Sequence, residues 1–63
     1  MTKRSATYWC NQIATYESAN PHAEVFTEND GQGDYSVTVI GWGGYQYHLY
    51  NSDDCRKWLN DAY

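Results

Sequence analysis

The spacing of apolar positions changes twice along this chain, and the changes mark out three regions. Over about residues 2–19, Ala6, Trp9, Cys10, Ile13, Tyr16 and Glu17 recur every three or four positions. That spacing puts one stripe on one face of a helix. Asn20-Pro21 ends it, because the residue before a proline is pushed out of the helical region. From His22 to Tyr50 the period drops to two and β-branched and aromatic residues dominate, which predicts strands. From Ser52 the helical spacing returns, with Cys55, Trp58, Leu59 and Ala62 on one stripe and Arg56 and Lys57 outside it. Ser52 is the predicted N-cap, and Asp53 and Asp54 follow in the first turn, where carboxylates favour the helix dipole.

Turn residues divide the middle region into three strands. Asn29-Asp30-Gly31-Gln32-Gly33 separates a strand over about 23–28 from one over about 35–41, and Trp42-Gly43-Gly44 separates the latter from a third over about 45–50. The length of the second loop decides which residues share a face. A two-residue turn at Gly43-Gly44 would set Trp42 opposite Tyr45 and Ile40 with Tyr47. A three-residue loop with Gly44 left-handed would instead pair Gly41 with Tyr45 and Val39 with Tyr47. The second sorts the faces better. Tyr35, Val37, Val39, Tyr45, Tyr47 and Leu49 fall on one side, and Ser36, Thr38, Ile40, Gln46, His48 and Tyr50 on the other. Two amphipathic helices need a shared apolar surface, which one sheet face supplies. The predicted fold is α+β, a two-layer sandwich in the order helix–three-stranded antiparallel sheet–helix (αβββα). Its expected core is Trp9, Ile13, Val25, Val37, Val39, Tyr47, Leu49, Trp58 and Leu59.

Size confines this to a single domain over residues 1–63, 7.3 kDa in mass. Only eight residues are Leu, Ile, Val or Phe, a level that usually warns of disorder. Seven Tyr and three Trp offset that shortage with large apolar surfaces. Cys10 and Cys55 form neither a disulfide framework nor a zinc signature. They are expected as reduced thiols on buried faces, with a single bridge between them as the alternative. No stretch has the length of a membrane span, and Met1-Thr2-Lys3-Arg4 is not followed by an apolar signal segment, so the expected location is cytoplasmic, with no membrane partner.

Charge is distributed more tellingly than its total of −4. Lys3 and Arg4 stand near one end and Arg56 and Lys57 near the other, and no Lys or Arg lies between Ser5 and Cys55. That interval holds Glu17, Glu24, Glu28, Asp30, Asp34, Asp53 and Asp54. Acids keep a small protein soluble, and a field of one sign also suits a basic partner.

Catalytic chemistry finds little support. His22, His48 and the two cysteines lack the tight pairing of metal ligands. Asp53-Asp54 is explained by the helix start, and no glycine-rich loop leads into a helix with a lysine to cradle phosphate. No catalytic, cofactor-binding or metal residues are assigned, no cofactor is expected, and the chain is not read as an enzyme. The order αβββα resembles the double-stranded-RNA-binding domain, with Asn20-Pro21-His22 where that domain has a Pro/His loop. That domain needs lysines at the start of its second helix, where this chain has Ser52-Asp53-Asp54, so direct nucleic-acid binding is not expected.

What remains is the outer sheet face, where Phe26, Ile40, Tyr50 and His48 lie among Glu24, Glu28, Ser36, Thr38 and Gln46. Aromatics in a polar surround have the composition of binding hot spots. The expected partner-binding residues are Glu24, Phe26, Glu28, Asp30, Asp34 and Tyr50. In size, acidity, tyrosine content and architecture the whole chain resembles the small anti-CRISPR proteins encoded by phages and other mobile elements. That resemblance implies stoichiometric inhibition of a CRISPR–Cas effector in the host bacterial cytoplasm, by occupying a DNA-receiving or subunit surface. The expected partner is a protein with a basic surface, a CRISPR–Cas effector subunit under this resemblance, met by a monomer rather than a homodimer. Duplex DNA as long as this domain carries about sixteen charges, so seven acids suit a partial DNA mimic aided by aromatic contacts. The alternatives are a self-associating structural or immunity/antitoxin-type binding protein, and a small enzyme using His48 with a neighbouring acid or thiol.

Overall fold

A computed structural model of the chain describes residues 1–41 and 44–62, the last without its side chain. Trp42 and Gly43, part of the predicted second loop, and the Ala62 side chain of the second helical stripe lie outside the described residues.

Helix α1 spans Lys3–Glu17. The hydroxyl of Thr2 caps it by accepting from the backbone N–H of Ser5 at 3.1 Å, which satisfies one of the otherwise unpaired first-turn donors. Beyond its end, the Asn20 side chain accepts from the N–H of His22 at 3.0 Å, so the Asn-Pro-His segment closes on itself as a turn. Three strands follow, β1 (Glu24–Asn29), β2 (Tyr35–Ile40) and β3 (Gln46–Leu49), and then helix α2 (Ser52–Ala62). The sheet is antiparallel in the order β1-β2-β3. The fold is the predicted α+β arrangement of helix, three-stranded sheet and helix.

Register follows the three-residue alternative for the second loop. Val39 pairs with Tyr47 and Val37 with Leu49, the N–H of Gly41 donates to the Tyr45 carbonyl at 2.9 Å, and Gly44 is left-handed at φ 80°. Across the other hairpin Val25 pairs with Val39 and Thr27 with Val37. One sheet face therefore gathers Val25, Val37, Val39 and Leu49. Helix α1 packs against β1, β2 and α2, while α2 also meets β3.

The buried core is Ala6, Ile13, Val37, Val39, Leu49 and Cys55. It is narrower than predicted. Trp9, Val25, Trp58 and Leu59 pack against it half-buried. Tyr47 lies on the expected face but is 47% exposed, its ring edge-on to Trp58 at 6.3 Å. Tyr16, predicted on the buried stripe of α1, is exposed as well. Two short helices cannot roof three strands and also enclose every aromatic ring, so the rings lie at the margins of the core. Cys10 and Cys55 are both free thiols.

The cap of α2 also differs from expectation. The side chain of Asn51, rather than that of Ser52, accepts from a first-turn N–H, that of Asp54 at 2.8 Å. The Ser52 hydroxyl instead accepts from the indole N–H of Trp9 at 3.0 Å. It therefore ties the two helices together, and the Arg56 guanidinium lies 5.6 Å from the centre of the Trp9 ring. Beside β2, past the end of β3, Met1 exchanges two backbone hydrogen bonds with Tyr35, at 2.8 and 2.9 Å.

Candidate protein-binding face

The face of the sheet turned away from the helices is ordered in rows by the strand register. Glu24, Ile40 and Gln46 form one row, and Phe26, Thr38 and His48 the next. Glu28 stands opposite Ser36 in the third, with Tyr50 just beyond the end of β3. Of the six predicted contact residues, Glu24, Phe26, Glu28 and Tyr50 lie on or beside this face, and Asp30 and Asp34 occupy the loop at the end of the β1–β2 hairpin. Phe26 is 40% exposed and Tyr50 62% exposed, so both rings are open to contact.

The middle of the face is not an ordinary solvated surface. Thr38 is only 1% exposed, enclosed by its neighbours although no helix covers it. Its hydroxyl donates to the Glu28 carboxylate across the hairpin diagonal and lies 3.3 Å from His48 Nδ1. With its proton committed to Glu28, the hydroxyl oxygen can accept from the imidazole in the tautomer that carries its proton on Nδ1. His48 Nδ1 is 3.9 Å from Glu28 Oε1, and the His48 ring stacks on Tyr50 at 6.3 Å. The sequence places all three residues on the outer face and pairs His48 with a neighbouring acid, but does not show that buried Thr38 joins them. The only signal for that is a threonine at the centre of the middle strand, between a glutamate and a histidine whose positions depend on the register.

Asp30, expected from the sequence both as a turn residue and as a contact acid, has its carboxylate engaged in the turn. One carboxylate oxygen accepts from the N–H groups of Gln32 and Asp34, at 2.7 and 3.2 Å, which closes the hairpin loop. Gly31 and Gly33 take the left-handed turns in between, at φ 85° and 92°. Glu24 and Asp34 are different. Neither carboxylate has a hydrogen-bond or ion-pair partner among the described residues. Glu28, Asp30 and Asp34 line one end of a cleft of about 510 Å³ that reaches Ser36, His48 and Tyr50, and Met1, whose ammonium donates to the Tyr35 and Tyr50 carbonyls, lines it too. Its size admits a long side chain, and three carboxylates against one ammonium leave it favourable to a cationic one.

The layers differ in charge. All four cations (Lys3, Arg4, Arg56 and Lys57) belong to the helices, as do Glu17, Asp53, Asp54 and Asp61, so the helical layer carries no net charge. Arg56 donates to Asp53 at 3.0 Å within that layer. The whole net charge of −4 is carried by Glu24, Glu28, Asp30 and Asp34, on the first hairpin.

Among the described residues no group of His, Cys, Asp or Glu has the arrangement of a metal site, and no helix is long and apolar enough to cross a membrane. No protein-family model, curated protein or solved structure matches this chain.

Proposed function

We propose that this protein works by occupancy, binding a basic protein surface through its first hairpin and the outer face of its sheet. The observation that carries this reading is the segregation of charge. A chain that needed acids only for solubility would scatter them, whereas here the entire excess lies on one hairpin beside two exposed aromatic rings. Unneutralised carboxylates steer encounter with a cationic surface, and Phe26 and Tyr50 supply the desolvated contact that holds it.

Proteins that receive nucleic acid present such basic surfaces, because they must neutralise phosphates. The proposal agrees with the small anti-CRISPR inhibitors that the chain resembles in size, acidity and architecture. The target is then a subunit of a bacterial CRISPR–Cas effector, and the protein acts as a monomer in the host cytoplasm. The decisive experiment titrates the purified protein into a panel of purified CRISPR–Cas effectors and measures binding of labelled target DNA. One effector should lose DNA binding stoichiometrically, and added salt should relieve the inhibition. Undiminished DNA binding across effectors of every type would remove the anti-CRISPR assignment.

A second reading draws on the Glu28–Thr38–His48 cluster, whose acid and imidazole could exchange protons with a substrate. Thr38 is buried and therefore cannot serve as an accessible nucleophile, which weighs against turnover. His48→Ala separates the two readings. Inhibition should persist in that variant, whereas its loss with binding intact would make the chain an enzyme.

A further inference from the structure

Resting on the basic-partner reading, the geometry points to how that partner is held: we infer that the free edge of β1 takes up an extended segment of the partner as a fourth strand, of pattern basic–x–apolar–x–basic. Strand β1 is an edge strand, since the sheet order is β1-β2-β3. The N–H of Asp30 donates to the Asp34 carbonyl, which makes 30/34 a hydrogen-bonded pair. Pairs in an antiparallel ladder alternate, so Glu28/Ser36, Phe26/Thr38 and Glu24/Ile40 are bonded as well. Val25, Thr27 and Asn29 therefore turn their N–H and C=O groups outward along the edge.

Natural edge strands are usually blunted by charged side chains, lysine above all, or by a proline, a bulge or very short length. The only charges on β1 are Glu24 and Glu28, which repel an acidic strand but not a basic one. Strand β1 has six residues in continuous register, with neither Lys nor Pro. All but Val25 are exposed. The other edge is less available. Strand β3 has four residues, and the slot beside β2 just past its end is taken by Met1.

Charge selects the occupant. Glu24, Phe26 and Glu28 alternate along one face of β1, so a strand laid beside it presents a side chain next to each. Lysine or arginine suits the two acids and an apolar residue suits Phe26, as opposite-charge and aromatic cross-strand pairs do elsewhere. A second copy of this chain would bring its own Glu24 and Glu28 to the same edge, and like charges across strands oppose that pairing. Main-chain hydrogen bonds would supply affinity and the alternate side chains specificity, as in other strand additions.

The probe is the capped peptide Thr-Lys-Thr-Val-Thr-Lys-Thr, titrated into the isotope-labelled full chain by NMR at low salt. Bound peptide should slow amide exchange at Val25, Thr27 and Asn29. With the peptide antiparallel to β1 and its valine beside Phe26, N-methylation of the threonine amides at its first, third and fifth positions, which face Asn29, Thr27 and Val25, should abolish binding, and N-methylation of the lysine and valine amides should leave it. Glu24→Lys should weaken the peptide roughly three- to tenfold and admit a version with Glu in place of Lys. Binding without edge protection, with both methylated peptides alike, would overturn the inference and leave the basic-partner reading standing. Absence of binding would also overturn it, and the effector titration would then judge that reading separately. Protection of the same amides on concentrating the chain alone would overturn it in favour of self-pairing.

Discussion

At the scale of single residues, Cys55 shows how burial sets chemistry. It is fully buried on the inner face of α2, and loss of hydration pushes its thiol up to about 11, with the adjacent Asp54 carboxylate acting in the same direction. In the unfolded chain the thiol ionises near its ordinary 9.0. The folded state therefore keeps its proton where the unfolded state loses it, and stability should fall as pH rises from about 9 to about 11. Urea denaturation of the parent and of Cys55→Ala at about pH 8 and about pH 10.5 checks this, because the pH-dependent difference between them should shrink in the variant. Cys10 is half-buried and raised by desolvation too. A thiol reagent at mildly alkaline pH should modify Cys10 well before Cys55, and equal rates would contradict the placement of Cys55 in the core.

At the scale of elements, the start of α2 separates two roles that the sequence runs together. Asn51 caps the helix and Ser52 fastens it to Trp9. Asn51→Ala should cost about 1 kcal/mol. Ser52→Ala should cost a similar amount by leaving the indole N–H unpaired, but only while Trp9 is present. In a Trp9→Phe background the Ser52→Ala penalty should vanish and the Asn51→Ala penalty remain, a double-mutant cycle readable by thermal melts. Trp58 reports the docking of α2 as a whole. Because its ring is half-buried, Trp58→Ala should fall near the lower end of the ~3–5 kcal/mol typical of core tryptophans. A loss under about 1 kcal/mol would mean that α2 does not depend on this contact.

At the scale of the whole molecule, the neutral helical layer and the acidic hairpin make a polarised body about 31 Å long. Reversing Glu24 and Asp34 to Lys perturbs the field without removing an internal partner, whereas Glu28 and Asp30 also hold Thr38 and the hairpin loop. The Glu24→Lys, Asp34→Lys double variant should slow association with the effector that the titration identifies and flatten its salt dependence. Tyr50→Ala should chiefly speed dissociation. Surface-plasmon kinetics across a salt series measure both. An unchanged association rate in the double variant would take the hairpin out of the interface.

The sequence by itself determined the elements, because periodicity, Asn20-Pro21 and the glycine-rich turns act locally on the backbone. It also determined the register of the second hairpin, since Gly44 readily adopts the left-handed conformation that the three-residue loop needs. The concentration of uncompensated acids between residues 24 and 34 was equally legible. Tertiary structure decided what depends on distant neighbours. Tyr47 is half exposed because the helices do not reach across the sheet, Thr38 is buried because Glu28 and His48 converge on it from opposite strands, and Ser52 is tied to Trp9 of the other helix rather than capping α2. Those outcomes turn on contacts between residues about ten to forty positions apart. Local patterning cannot encode such contacts, because a polar side chain's partner is set by which strands and helices meet.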